Sequence, residues 1–102
     1  MDIEQKVQLA RTGDISPDAI RVRLLAARAS IGMQQLEVAR ELGLKKTTFH
    51  SQESRGAPGI KTMRYYYRQH RIDFNFILHG DFAQLPQDVQ DRLFAALRTV
   101  EP

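Results

Sequence analysis

A short stretch near the middle of the 102-residue chain concentrates side chains that can hydrogen-bond to an external partner. Residues 45–52 read KKTTFHSQ, which gives two ammonium groups, three hydroxyls, an imidazole and an amide, with Phe49 as the only strongly apolar member. A helix with one apolar residue cannot bury most of its surface, so its other faces are left for contacts outside the chain. Ammonium and hydroxyl groups suit hydrogen bonding to the edges of nucleic-acid bases.

The same side chains do not form a recognisable catalytic or metal-binding pattern. The chain has no cysteine, which excludes a thiol nucleophile, a disulfide framework and cysteine metal ligands. His50, His70 and His79 show no metal-ligand spacing, and no carboxylate cluster accompanies them. Neither a glycine-rich phosphate loop nor a spaced Ser/His/Asp set is present. We therefore predict that the protein is not an enzyme and needs no metal or cofactor.

Two short helices joined by a tight turn are predicted to position this stretch. The first, residues 34–42, has three apolar residues at the spacing of one buried helix edge: Val38, Ala39 and Leu42. Gly43 suits the left-handed residue that ends a helix, Leu44 fills the turn, and a second helix follows over residues 45–53. Two helices at a sharp turn, the second with a polar outer face, describe a helix-turn-helix reader of DNA.

Positive charge is concentrated in the same part of the chain. Residues 45–71 carry seven lysine and arginine residues against Glu53 alone, a net charge of +6, whereas residues 1–44 are neutral and residues 73–102 are net −3. Such a segment favours a polyanionic partner. The alternative is an ordinary solvated helical surface. Because the charge coincides with the predicted turn, we favour DNA.

Residues 32–53 resemble the helix-turn-helix of Cro/repressor-type (Xre-like) regulators of phages and bacteria. The family pattern is matched in register, without a gap, by Gly32, Met33, Gln35, Val38, Ala39, Leu42, Gly43, Leu44, Thr48, Phe49 and Glu53. The resemblance continues through the family's fourth and fifth helices at Pro58, Ile60, Thr62, Met63, Ile72, Phe74, Phe76, Ile77, Leu78 and Gly80. It implies an all-α, five-helix, lambda-repressor-like DNA-binding domain over residues 16–80.

The resemblance also implies which side chains contact DNA. Four are expected to contact bases in the major groove, with the imidazole at the flank: Lys46, Thr47, His50 and Ser51. Five are expected to contact the DNA backbone: Gln35, Lys45, Thr48, Arg55 and Lys61. The resemblance also implies that the Gln35 amide can brace a side chain of the reading helix. The chemistry agrees, because lysine donates to guanine O6 and N7, and hydroxyls bond either donors or acceptors.

Several residues leave alternatives open. Gln52 stands where the family usually has an apolar residue, so it is either a hydrogen-bonded interior amide or a sign of a tilted second helix. Arg21, Arg23 and Arg28 lie mostly off the apolar stripe of their helix, which predicts ordinary surface positions or a phosphate contact. In the helix over residues 60–71, we expect an inward stripe rather than base-stacking aromatic rings, formed by Ile60, Met63, Tyr66, Tyr67 and His70.

The two ends of the chain lie outside the part that resembles the family. Residues 1–15 are expected to form a short amphipathic helix or a frayed arm, and Ser16-Pro17-Asp18 predicts the start of the next helix. Residues 81–102 are expected to hold a last helix that starts near Pro86 and has a wide apolar face. We favour homodimerisation over intramolecular packing for this face, with an interface that includes Phe76, Val89, Leu93, Phe94 and Leu97.

Together these patterns predict a sequence-specific, double-stranded-DNA-binding transcriptional regulator, acting as a dimeric repressor. A two-fold dimer separates its reading helices by about 34 Å, the spacing of successive major grooves on one DNA face. The alternative is a protein-interaction module, such as an antitoxin or accessory subunit, that uses the same fold with the last helix as its docking surface. No apolar run is long enough to span a membrane and no signal peptide is recognisable, so a cytoplasmic protein is expected.

Overall fold

Seven α-helices and no strand are present in residues 1–100, the part of the chain that the computed structural model describes. The helices are α1 (Ile3–Ala10), α2 (Pro17–Ser30), α3 (Gln35–Leu42), α4 (Lys46–Arg55), α5 (Ile60–His70), α6 (Phe74–His79) and α7 (Gln87–Leu97). The prediction of an all-α chain is confirmed, and a helix rather than a frayed arm occupies the N-terminus. The predicted C-terminal segment, 81–102, extends two residues beyond the described part.

Local sequence chemistry sets several of the helix ends. The Ser16 hydroxyl accepts a hydrogen bond from the Ala19 backbone N–H at 3.2 Å, with Pro17 at the first helical position of α2. The Asp73 carboxylate accepts from the Phe76 backbone N–H at 2.9 Å and so caps α6. Gly43 ends α3 with a left-handed φ of 69°. These contacts satisfy backbone groups that a helix leaves unpaired at its ends.

Helix α2 lies at the centre of the fold and packs against α4, α6 and α7. The larger apolar cluster joins α2 and α5 to α6 and α7, and the smaller one holds the pair α3 and α4 together. The smaller cluster has only four buried members: Val38, Ala39, Leu42 and Phe49. The α3–α4 pair therefore has little apolar material of its own and depends on further contacts to α2.

The apolar face of α7 packs inside the chain, so the predicted dimer interface is wrong. All five residues assigned to that interface are buried in the larger cluster: Phe76, Val89, Leu93, Phe94 and Leu97. Alanine residues of α2 in the same cluster, Ala26 and Ala27, are small enough to admit the large α7 side chains. Intramolecular packing, the alternative considered for this helix, accounts for its apolar face.

The side chain of Arg23 is completely buried, contrary to the surface position expected for it. Among residues 1–100, its guanidinium donates to five backbone carbonyl oxygens and to no carboxylate. Nε donates to Ala10 at 2.8 Å, Nη2 to Arg11 and Asp14 at 2.5 and 2.6 Å, and Nη1 to Leu78 and Ile77 at 3.2 and 3.4 Å. These carbonyls lie at the C-terminal ends of α1 and α6 and in the loop after α1, where partial negative charge accumulates. One side chain on α2 thus joins α1 to α6.

The inward face of α5 is rotated from the predicted stripe. Met63 and Tyr66 are buried as expected, but Ile60 and Tyr67 are 72% and 51% exposed. Tyr65 turns inward instead, and its hydroxyl donates to the Glu41 carboxylate and lies 3.2 Å from His70 Nε2. The Tyr66 hydroxyl is buried without a hydrogen-bond partner among residues 1–100. The predicted inward position therefore holds for Tyr66 and is wrong for Tyr67, whose exposed ring packs edge-on against Phe74.

Replacing Arg23 should lower the stability of the whole domain. We expect Arg23→Gln to reduce the free energy of unfolding by about 3 kcal/mol, because most of the buried carbonyl oxygens lose their donor. The same change at Arg21, which pairs with Asp18 on the surface, should cost no more than about 0.5 kcal/mol. Urea unfolding followed by circular dichroism measures both, and equal losses would contradict the structural role of Arg23.

The two neighbouring tyrosines should respond oppositely to removal of the hydroxyl. Tyr66→Phe should leave the free energy of unfolding unchanged or raise it by up to about 1 kcal/mol, since an unpaired buried hydroxyl is lost, whereas Tyr65→Phe should lower it by about 1 kcal/mol.

Burial raises the pKa of the Tyr66 phenol above its ordinary 10.0. Above about pH 10, Tyr66 therefore ionises only in the unfolded chain, so the free energy of unfolding of the wild type should fall as the pH rises. The free energy of unfolding of Tyr66→Phe should fall less over the same range. Unfolding curves at pH 7 and 10.5 test both statements, and a less stable Tyr66→Phe at pH 7 would refute the first.

Candidate nucleic-acid interface

Helix α4 points most of its polar side chains away from the core. Only Phe49 and Glu53 are buried in it, each 2% exposed. Of the four predicted base-contacting residues, Lys46, Thr47 and His50 are exposed and Ser51 is half-buried. Among the predicted backbone-contacting residues, Gln35 is half-buried and the others are exposed: Lys45, Thr48, Arg55 and Lys61. The fold therefore leaves a polar helix face open to an external partner.

A surface depression lies between the start of α3 and the outer face of α4. It has a volume of about 390 Å³ and is lined by Gln35, Lys46, Thr47 and His50. A second depression, about 310 Å³, shares Gln35 and Lys46 and extends toward Arg28. Three of the four predicted base-contacting side chains thus meet at one place, next to a residue predicted to contact the DNA backbone.

The buried Glu53 carboxylate attaches α4 to the central helix α2. Glu53 Oε2 accepts from Arg28 Nε at 2.9 Å, and Oε1 accepts from Arg28 Nη2 at 3.0 Å and from Gln35 Nε2 at 2.9 Å. The bonds to Glu53 raise the pKa of the Arg28 guanidinium above its ordinary value. A buried carboxylate with three donors and an opposite charge is compensated for its loss of water. Arg28 Nη1 also donates to the Met33 carbonyl at 3.2 Å, which ties down the loop before α3.

Sequence reasoning missed this pair, although a signal for it was present. The sequence predicts a surface position or a phosphate contact for Arg28. Glu53 enters the prediction only through the family pattern. Glu53 is the single acidic residue in the strongly basic segment 45–71. Glu53 follows Phe49 by four residues, so its carboxylate lies on the same helix face as that core residue. That spacing predicts a buried partner for the carboxylate.

Gln35 bridges the buried pair to the outer face of α4. Its Nε2 is 2.9 Å from Glu53 Oε1 and 3.1 Å from His50 Nδ1, while its Oε1 is 3.2 Å from the same ring nitrogen. The side-chain amide predicted to bond a phosphate is thus engaged within the protein. The side chains of Arg28, Glu53, Gln35 and His50 form a continuous hydrogen-bonded chain from the core to the surface.

Gln52 is an interior amide, the first of the two alternatives considered for it. Its Oε1 accepts from the Gly59 backbone N–H at 2.9 Å and from the Thr62 hydroxyl at 2.6 Å. The contact holds the loop after α4 and the start of α5 together. A Cβ added to Gly59 would lie 3.3 Å from the Gln52 amide nitrogen, so glycine lets the loop approach this closely.

The basic residues of segment 45–68 keep their charge unpaired in the part of the chain that the structure describes. Six of them have neither a salt bridge nor a side-chain hydrogen bond there: Lys45, Lys46, Arg55, Lys61, Arg64 and Arg68. Elsewhere, four arginines pair with carboxylates: Arg11, Arg21, Arg28 and Arg71. The Lys61 ammonium lies beside the α3–α4 turn, 3.8 Å from where a Cβ on Gly43 would stand. Unpaired positive charge therefore lies on α4 and its N-cap at Lys45, Lys46 and Arg55 and beside the α3–α4 turn at Lys61, while Arg64 and Arg68 line a depression between α3 and α5.

The described residues contain no cluster of three or more histidine, cysteine or acidic side chains that could hold a metal ion. Within the same residues, no helix has the length and apolar character that crossing a membrane requires. No protein-family model, curated protein or solved structure matches the chain.

Breaking the Arg28–Glu53 pair should loosen α4. We expect Glu53→Gln to lower the free energy of unfolding by about 2 kcal/mol, less than for a fully buried pair because 19% of the Arg28 side chain is exposed. The exposed residue Glu4, changed in the same way, should have an effect within about 0.5 kcal/mol. Replacing both partners by methionine should restore much of the loss, since no charge is left uncompensated. Chemical unfolding measures these variants together with the single variants Arg28→Met and Glu53→Met, and a double variant whose loss equals the sum of those two single losses would contradict the coupling.

Proposed function

We propose that the protein is a sequence-specific, double-stranded-DNA-binding transcriptional regulator that inserts α4 into the major groove. One observation carries the proposal: α4 is held by only two buried side chains, Phe49 and Glu53, and exposes Lys46, Thr47 and His50 within a surface of unpaired cations. A helix of this kind has the dimensions and hydrogen-bonding groups for direct readout. We further propose a lambda-repressor-like fold in which α2 to α6 are the five helices of the domain.

The proposed contacts divide into two classes. Lys46, Thr47, His50 and Ser51 face base edges and set the sequence preference. The DNA backbone is met by the ammonium and guanidinium groups of Lys45, Arg55 and Lys61, by the Thr48 hydroxyl, and by Gln35. Because the Gln35 side chain is engaged by Glu53 and His50, its backbone N–H at the first position of α3 is the group left for a phosphate. Backbone contacts supply affinity and position, and base contacts supply specificity.

Repression is proposed to follow from occlusion of a promoter, and the cytoplasm is the location that this role implies. Dimeric binding stays part of the proposal, but the buried face of α7 does not supply the interface. In the alternative, a protein-interaction module, the apolar face of α7 was expected to be the docking surface. Since its apolar residues are used inside the chain, the observation that favoured the alternative is lost.

Alanine substitutions should separate the two classes of contact. On a duplex selected from random sequence, Lys46→Ala and Ser51→Ala should each weaken binding by about 1–3 kcal/mol and relax the preference at one base pair. Arg55→Ala should weaken binding to the selected and a shuffled duplex alike and reduce the salt dependence by about one phosphate contact. Fluorescence anisotropy at two salt concentrations measures these effects. Equal losses on both duplexes for all three variants would overturn the assignment of α4 as the reading helix.

A further inference from the structure

The depression lined by Gln35, Lys46, Thr47 and His50 has the hydrogen-bonding character of a site for one particular base edge. We infer that it binds the major-groove edge of guanine, with Lys46 and His50 donating to O6 and N7. The inference rests on the proposed function and deepens it by naming the base that the site selects. Its basis is the set of donors and acceptors that the depression presents, which the hydrogen-bonded chain from Glu53 determines.

The buried carboxylate fixes the orientation of the Gln35 amide. Glu53 Oε1 has only lone pairs to offer, so the Gln35 atom 2.9 Å away must be the amide nitrogen rather than the oxygen. That nitrogen carries two hydrogens, and Glu53 uses one of them. The second is directed toward the remaining neighbour, His50 Nδ1, at 3.1 Å.

The amide in turn fixes the protonation of the His50 ring. A neutral imidazole that accepts a hydrogen bond at Nδ1 carries its proton on Nε2. A protonated ring also carries a proton on Nε2, and its Nδ1–H can donate to Gln35 Oε1 at 3.2 Å. A neutral ring protonated at Nδ1 would instead place that N–H against the amide hydrogen that Glu53 leaves over, so the oriented amide favours the two forms in which the outward nitrogen of His50 is a donor. Gln35 acts as a positioning residue for that donor.

The other side chains of the depression add donors and no obligatory acceptor. The Lys46 ammonium has three donor hydrogens and no lone pair, and the Thr47 hydroxyl can serve as either donor or acceptor. None of the carboxylates in the described part of the chain lines the depression. The nearest carboxylate in the hydrogen-bonded chain, Glu53, is buried and already has three donors. Among residues 1–100, a base edge that needs an acceptor from the depression can meet the Thr47 hydroxyl or Gln35 Oε1, and the latter already lies 3.2 Å from the His50 ring.

Guanine is the base whose major-groove edge matches this arrangement. It presents two adjacent acceptors, N7 and O6, whereas adenine pairs its N7 acceptor with an N6 donor and cytosine presents an N4 donor. Thymine offers a single acceptor beside a methyl group. Two donors that line one depression, with no carboxylate of residues 1–100 beside them, therefore favour guanine over the other three bases.

The test begins with selection of bound duplexes from random sequence by the full chain. We expect a guanine at a defined position of the enriched site. Replacing that guanine by 7-deazaguanine removes only the N7 acceptor and should weaken binding about 5- to 100-fold. Replacing it by hypoxanthine, which keeps N7 and O6, is the matched control and should change binding less than about threefold.

Variants of the protein assign the effect to the depression. In His50→Ala the penalty for 7-deazaguanine should largely disappear, and in Gln35→Leu it should shrink, while Ser54→Ala, a change at an exposed α4 residue with no assigned DNA contact, should keep the full penalty. Circular dichroism checks that each variant is folded. An enriched site without such a guanine, or a 7-deazaguanine penalty that persists in His50→Ala, overturns this inference and leaves the proposed function intact. Absence of any enriched sequence overturns the proposed function itself.

Discussion

The ion pair between Arg28 and Glu53 is the contact that allows α4 to be both fixed and polar. Phe49, the one buried apolar side chain of this helix, contributes about 2–3 kcal/mol by leaving water, which is little to hold ten residues in place. Glu53 adds a two-bond attachment to α2, with partners at 2.9 and 3.0 Å, and a third bond from Gln35. Since a charged anchor replaces a wide apolar face, the other positions of α4 stay free to carry hydrogen-bonding groups.

Helix α2 organises the fold through two arginines that face different neighbours. Arg23 gathers the carbonyl ends of α1 and α6, and Arg28 holds the α3–α4 pair and the loop before it. Both guanidinium groups are compensated at short range, one by backbone dipoles and the other by a carboxylate. The apolar face of α7 completes the enclosure of α2 from another side. This helix therefore couples the packing of the core to the position of the exposed face.

Local chemistry explains how far the sequence could anticipate this structure. The starts of α2 and α6 and the end of α3 were predictable, because a serine, an aspartate and a glycine act on backbone groups within a few residues. The burial of Arg23 was not, because its partners are carbonyls contributed by segments up to 55 positions away. The partner of the α7 apolar face was also undetermined, since an amphipathic pattern shows that a face is buried but not against what. At the candidate site, the outward residues of α4 followed from its polarity, whereas the bridge from Glu53 through Gln35 to His50 needed the tertiary structure.

The central claim is that the exposed face of α4 recognises a DNA sequence and not merely its phosphates. The most direct measurement is the ratio of the protein's affinities for a duplex selected from random sequence and for a shuffled duplex of the same composition, as a function of salt. We expect a ratio of at least about 10³ that persists as salt rises, since added salt weakens the phosphate contacts common to both duplexes. A ratio near one at every salt concentration would contradict it, because the unpaired cations around α4 would then account for all of the binding.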